Sequence, residues 1–177
     1  MGNLNIVVGN IVDDKILEGH DLIINATNPQ MIAGGGIAGA IFWKAGVEEL
    51  ENYTQTKYNI NYFEDNYNKD NIMKIGEIRI TPGFNLGMDI MFVQGPRFWD
   101  HNNAYELLFQ TYENMLSEIK NNNYKNVLVP SLGTGSYGFI HENVGHDVYT
   151  CLNEFVKNND INITLVLGDA SVVQYYK

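Results

Sequence analysis

Across 177 residues and 20.0 kDa the chain carries a single cysteine, Cys151. That excludes an internal disulfide framework and any zinc finger built on cysteines, and no metal site is expected. Positive charge is scarce: 11 Lys+Arg face 21 Asp+Glu, for a formal net charge of −10 and a pI near 4.7. Such a surface repels nucleic-acid backbones, whose binding rests on clustered Lys and Arg, so general nucleic-acid binding is not expected. No apolar run approaches the roughly 18 residues of a membrane span. The opening MGNLNIVVGNIVDD has no basic leader or long apolar stretch, so a soluble, cytoplasmic protein is expected. Repeats and Pro/Ser-rich linkers are missing too, and the length fits one domain over residues 1–177.

What is present is globular in character: 45% hydrophobic and 18% charged residues, with 11 Tyr, 8 Phe and 2 Trp. A domain of this size buries roughly 70% of the surface its unfolded chain exposes, enough for a core without staples. The 24 asparagines read as biased base composition rather than function. Short apolar, β-branched runs at Leu4–Val8, Leu22–Asn25, Glu77–Thr81, Ile90–Gln94, Val127–Pro130 and Ile163–Leu167 predict buried strands. Leu108, Tyr112, Met115, Leu116 and Ile119 share one helix face, as do Val144, Val148, Cys151, Leu152 and Phe155; Ala38 to Tyr53 predicts a third, less regular helix. Asn59 to Lys74 reads as a polar surface excursion. The alternation implies an α/β fold, a central sheet covered by helices. Glu77–Thr81 and Ile90–Gln94 follow one another without a helix, so the sheet is expected to be mixed, though largely parallel.

Chemistry concentrates in two glycine-rich segments, each between a predicted strand and a predicted helix: Asn25-Ala26-Thr27-Asn28 with Ala33-Gly34-Gly35-Gly36-Ile37-Ala38-Gly39-Ala40-Ile41, and Pro130-Ser131-Leu132-Gly133-Thr134-Gly135-Ser136-Tyr137-Gly138-Phe139. Glycines let the backbone approach a ligand and turn successive N–H groups toward it. A helix N-terminus just beyond adds partial positive charge, so the natural guest is a phosphate or pyrophosphate in a cleft. A Cβ at Gly36 is expected to occupy phosphate space. Both loops match G-x-G-x-x-G, which leaves an NAD-dependent oxidoreductase using the second loop as an alternative. The first loop lies eight residues beyond its strand, and no acidic residue ends a strand at the distance a dinucleotide fold requires.

These segments resemble the macrodomain family of ADP-ribose-binding modules. Further matching pieces are Val8-Gly9-Asn10-Ile11, Ile80-Thr81-Pro82-Gly83-Phe84-Asn85-Leu86 and Gln94-Gly95-Pro96, so the resemblance runs from about residue 4 to residue 169. It implies a three-layer α/β/α fold that takes ADP-ribose, or an ADP-ribosylated protein, at the strand ends, and no cofactor. By resemblance, Asn10 with Ile11 would read the adenine amino group, with Asn10 where the family usually has Asp. Ala26 and Asn28 would lie along the first segment, with Asn28 facing the distal ribose. Gly35, Gly36, Ile37 and Ala38 would wrap one side of the phosphates, and Ser131, Gly133, Thr134, Gly135, Ser136, Tyr137 and Gly138 the other, with the aromatic face of Tyr137 packing on the distal ribose. Asp169 would lie near the adenosine. Gly168 stands where an aromatic often stacks on adenine, and Tyr175 or Tyr176 could fold back in its stead.

The resemblance leaves activity open between binding and slow hydrolysis or O-acetyl-ADP-ribose deacetylation. The Asp that activates water in MacroD-type hydrolases is Ala38 here, and the His that precedes the glycines in some relatives is Ala33. Asn28, water and the substrate's own diphosphate remain. The departures at Asn10 and Gly168 also admit a degenerate scaffold without ligand. Elsewhere Cys151 reads as core, His141 and His146 as too poorly spaced for a metal, His20 and His101 as surface, and Glu48, Glu49 and Glu51 as a solvated helix face. Trp99-Asp100-His101, after the Gly95-Pro96 turn, reads as a surface loop, with a place at the border of the cleft as the alternative.

Overall fold

Six strands form one sheet in the order β1-β6-β5-β2-β4-β3 in the computed structural model, which describes residues 1–177. They are β1 (Leu4–Val8), β2 (Leu22–Ala26), β3 (Ile78–Thr81), β4 (Asp89–Val93), β5 (Asn126–Pro130) and β6 (Asn162–Leu167). Five run parallel, and β3 closes one edge antiparallel to β4 with Ile78 opposite Val93. The short Pro82–Met88 connection explains that single reversal, because a crossover to a parallel neighbour needs a dozen or more residues. This order is not the 3-2-1-4-5-6 of the dinucleotide fold.

The two faces of the sheet can be read from strand periodicity. Leu22 and Ile24 of β2, Met91 and Val93 of β4, and Val127 and Val129 of β5 join one core cluster. That cluster takes in α4 (Ala104–Asn121) and α5 (His141–Asn158). The alternate residues Ile23, Ile90, Phe92 and Leu128 point into a second cluster with α2 (Gly36–Ala45) and α3 (Val47–Lys57). The result is three layers, α/β/α. Ile41 and Phe42 of α2 are fully buried on that second face. Burial of each contributes about 1.5–3 kcal/mol, which presses the start of α2 against the sheet. A single turn, α1 (Asp14–Leu17), is capped by Asp13, whose carboxylate accepts from the Lys15 N–H at 2.9 Å.

Two expectations change. The helix foreseen over Ala38 to Tyr53 is two helices, because Gly46 takes a φ of 111° and its N–H ends α2 on the Phe42 carbonyl at 2.9 Å. The excursion from Asn59 to Lys74 is pinned rather than merely polar. Ile60 and Met73 are buried, and Asn68 and Asn71 both donate to the Asn59 carbonyl at 2.7 and 2.8 Å. Asn59, Asn61 and Asn66 adopt left-handed φ values of 52°, 55° and 56°. Asparagine tolerates that region better than most residues, so part of the Asn richness is structural.

Candidate functional site

The C-terminal ends of β2, β4, β5 and β6 converge on a cavity of about 580 Å³. Open α/β sheets offer ligands this position, where the loops leaving parallel strands diverge. One wall is the first glycine loop, from Gly34 to Ala38, running into α2. The opposite wall is Ser131 to Tyr137. Ala26, Thr27 and Asn28 rise from β2, Val93 and Gly95 from β4, and Val166, Leu167 and Gly168 from β6.

Local hydrogen bonds hold each wall. Asn28 spans the turn before the first loop: its Nδ2 donates to the Ile32 carbonyl at 2.7 Å and its Oδ1 accepts from the Ile32 N–H at 3.1 Å. One N–H and one lone pair of that amide stay available. Glu51 of α3 accepts from the Ala33 N–H at 2.9 Å, so it clamps the loop instead of only facing solvent. At Gly39, the second turn of α2 approaches the loop so closely that a Cβ would overlap the Gly34 carbonyl. Gly36 is a different case. A Cβ there meets no protein atom within 4 Å and would project into open space, while the φ of 59° is itself costly for any side chain, so within the protein Gly36 is constrained by backbone shape.

The second wall is anchored from behind. Tyr112, fully buried, accepts the Leu132 N–H at its hydroxyl at 2.8 Å, and burial raises its phenol well above the usual range. Thr134 Oγ1 donates to the Ser131 carbonyl at 2.8 Å, and the Phe139 N–H to the Gly133 carbonyl at 3.0 Å. Tyr176, nearly fully buried, places its hydroxyl 2.6 Å from Ser131 Oγ and 2.6 Å from His141 Nδ1. Burial lowers the imidazole's proton affinity, against a smaller opposing effect of Asp169. The Tyr176 hydroxyl thus links Ser131 Oγ and His141 Nδ1 in one hydrogen-bonded chain. Tyr137 closes the far end, its hydroxyl accepting from Gln94 Nε2 at 3.1 Å.

Of the expected site residues, the structure brings together Ala26, Asn28, Gly35, Gly36, Ile37, Ala38, Ser131, Gly133, Thr134, Gly135, Ser136 and Tyr137 around the cavity. Asn10, Ile11, Gly138 and Asp169 lie outside its lining. Asn10 is exposed and its Oδ1 accepts from the Val12 N–H at 3.1 Å. Ile11 is buried in the core with Leu17. Gly138 takes a φ of 86° beneath the Trp99 ring. Asp169 is exposed and caps the turn after β6, where the Ser171 N–H bonded to it at 2.8 Å holds its carboxyl below the usual range. His141 lines the cavity although its spacing in the sequence gave no signal. Tyr176 does fold back, but its hydroxyl serves the rear of the second loop. Burial pushes the Cys151 thiol up to about 11, consistent with a packing role.

No carboxylate, thiol, lysine or arginine lines the cavity, and its titratable side chains are Tyr137 and His141. No group of three or more His, Cys, Asp or Glu is arranged to hold a metal ion, and no helix is long and apolar enough to cross a membrane. Exposed backbone N–H groups, neutral side-chain donors and a helix start at Gly36 suit a phosphorylated guest.

Comparison with known proteins points the same way. The Macro domain family profile matches residues 24–146. A macro domain-containing protein of Methanosarcina mazei is 29% identical over 167 residues, 93% of this chain and 79% of its own length. An O-acetyl-ADP-ribose deacetylase of Cronobacter turicensis is 30% identical over 141 residues, 78% of this chain and 72% of its own. Among solved structures, the Oceanobacillus iheyensis macrodomain with ADP superposes with a TM-score of 0.83 at 30% identity, covering 98% of this chain and 87% of that one.

Proposed function

The chain belongs to the macro domain family, and on that premise we propose that its cleft binds ADP-ribose, free or carried on a protein. The observation that carries the reading is the pair of glycine loops facing each other across about 580 Å³, without an acidic side chain on either wall. A diphosphate between them meets backbone donors from both sides and the N-terminus of α2, and no local charge opposes it. The net charge of −10 belongs to the rest of the surface.

The two ends of the cavity differ, and the difference orients the guest. Val166, Leu167 and Gly168 make one end apolar and open, which suits a flat base. Asn28 and Tyr137 mark the other, where the free N–H and lone pair of the Asn28 amide and the remaining lone pair of the Tyr137 hydroxyl suit sugar hydroxyls. The distal ribose and anything attached to it therefore belong beside Asn28 and Tyr137.

Hydrolysis is a slower, second capacity of the same site. With Ala38 lining the first loop, water has no carboxylate to activate it, and a positioned base is typically worth 10²–10⁴-fold. Asn28 would then orient water while the substrate's diphosphate takes the proton. The O-acetyl-ADP-ribose deacetylase of Cronobacter turicensis makes an acetyl ester the first substrate to try.

Calorimetric titration with ADP-ribose, with NAD alongside, tests the reading. A dissociation constant near micromolar, about −8 kcal/mol, with NAD much weaker, is expected. Equal binding of NAD would favour an oxidoreductase. No heat with either would mean a scaffold without ligand.

A further inference from the structure

An aromatic shelf adjoins the cleft at the end where Asn28 and Tyr137 sit. Phe98, Trp99 and Tyr105 expose 43%, 61% and 38% of their surface. Phe98 and Tyr105 pack edge-to-face on each other at 6.0 Å and on the buried Phe139 at 5.5 and 5.6 Å, so the rings are held in place. The Phe98 N–H donates to the Tyr137 carbonyl at 2.8 Å, tying the shelf to the loop that walls the cavity. Trp99 lies over Gly138, where a Cβ would come within 2.7 Å of the indole. The shelf is thus continuous with the cleft wall. Arg97 and Asp100, paired with each other, border it.

Rigid, exposed aromatic rings beside a binding cleft are what a contact surface offers, since exposed apolar patches of this kind are seldom left without use. On the reading that the cleft holds an ADP-ribosyl group with its distal ribose beside Tyr137, whatever bears that group leaves the cavity next to Phe98 and Trp99. We propose that this shelf docks the polypeptide that carries the ADP-ribose, gripping an apolar side chain adjacent to the modified residue. Neutral aromatic rings would distinguish carriers by neighbouring hydrophobicity rather than charge, and the protein would prefer a modified polypeptide to the free nucleotide.

The probes are free ADP-ribose and two synthetic peptides ADP-ribosylated on a central serine, one flanked by leucines and one by glycines. The proteins are the wild type, Trp99→Ser, Tyr105→Ser and Trp99→Phe. The leucine-flanked peptide is expected to bind wild type at least about fivefold tighter than free ADP-ribose, the margin of one good interface contact. The glycine-flanked peptide should show little of that gain. Trp99→Ser and Tyr105→Ser should each reduce the gain while leaving free ADP-ribose affinity unchanged, and Trp99→Phe should keep most of it. Free ADP-ribose bound normally with no advantage for either peptide overturns the shelf and leaves the cleft reading standing. No binding of any probe overturns the cleft reading, and the shelf with it. A concentration-dependent dimer in sedimentation that Trp99→Ser abolishes assigns the shelf to a second copy of the chain, which also overturns the proposal.

Discussion

Tyr176 Oη touches two polar side chains at once, and one of them can change charge. Half-buried His141 resists protonation below the usual imidazole value near 6.5. Between its folded value and 6.5 the unfolded chain binds a proton that the folded chain refuses. The stabilisation is therefore complete above about pH 6.5 and is lost as pH falls through the folded value. Thermal unfolding at pH 7.5 and at pH 5.5 should show the lower midpoint at the acid value, and His141→Gln should flatten that slope. Ala38 invites the opposite kind of experiment, adding a charge. In the first turn of α2, Ala38→Asp gains from the helix dipole and places a carboxylate in the cavity lining. Hydrolysis of an ADP-ribosyl-glutamate peptide should rise by about 10²-fold in single-turnover assays. No gain with ADP-ribose affinity intact would mean that the site lacks a productive water position. His141 announces no role along the chain, and Tyr176 only that of a stand-in for the adenine stack; their contact is hidden because 35 residues separate two atoms that the fold brings to 2.6 Å. Glu51 was hidden similarly: its sequence neighbours Glu48 and Glu49 read as a solvated face, and only its contact with Ala33 separates it from them.

Elements were more legible. Each strand is a short apolar run, and all six stand within a residue or two of expectation; the inner strands are buried on both faces, whereas the edge strands β1 and β3 are only partly buried, against the expectation of buried strands there. Helices α4 and α5 announced themselves through one apolar face each. The break at Gly46 did not, because a lone glycine in a helical pattern is compatible with either outcome until packing decides. Glycines also divide by task at this scale. Gly39 admits α2 against the first loop, while Gly135 faces open space with no protein atom within 4 Å of a Cβ. Gly39→Ala should cost about 1–3 kcal/mol and weaken ADP-ribose binding as the loop shifts. Gly135→Ala should leave the denaturation midpoint unchanged. Equal stabilities for the two variants would contradict the close approach at Gly34.

At the scale of the whole molecule, the electrostatic sign of the surface and that of the cleft disagree. A formal charge of −10 repels an anionic nucleotide at long range, while the loops attract it at contact. Stopped-flow association of ADP-ribose should therefore speed up as salt is added and the repulsion is screened. A rate that falls with salt would place a local positive field at the cleft mouth. The sheet has a temporal side as well. Leu4 pairs with Ile163, and β6 is the one strand beside β1. At cellular rates of synthesis the first strand waits on the order of ten seconds for its neighbour to be made. Throughout that wait an edge of unpaired amides must be kept from other chains. The second glycine loop and the end of β6 both line the cleft and both follow β1 late in the chain, so no ligand can occupy the cleft before they are made. The lining of the cavity spans Ala26 to Gly168, so the pocket is complete only after β6 has taken its place in the sheet.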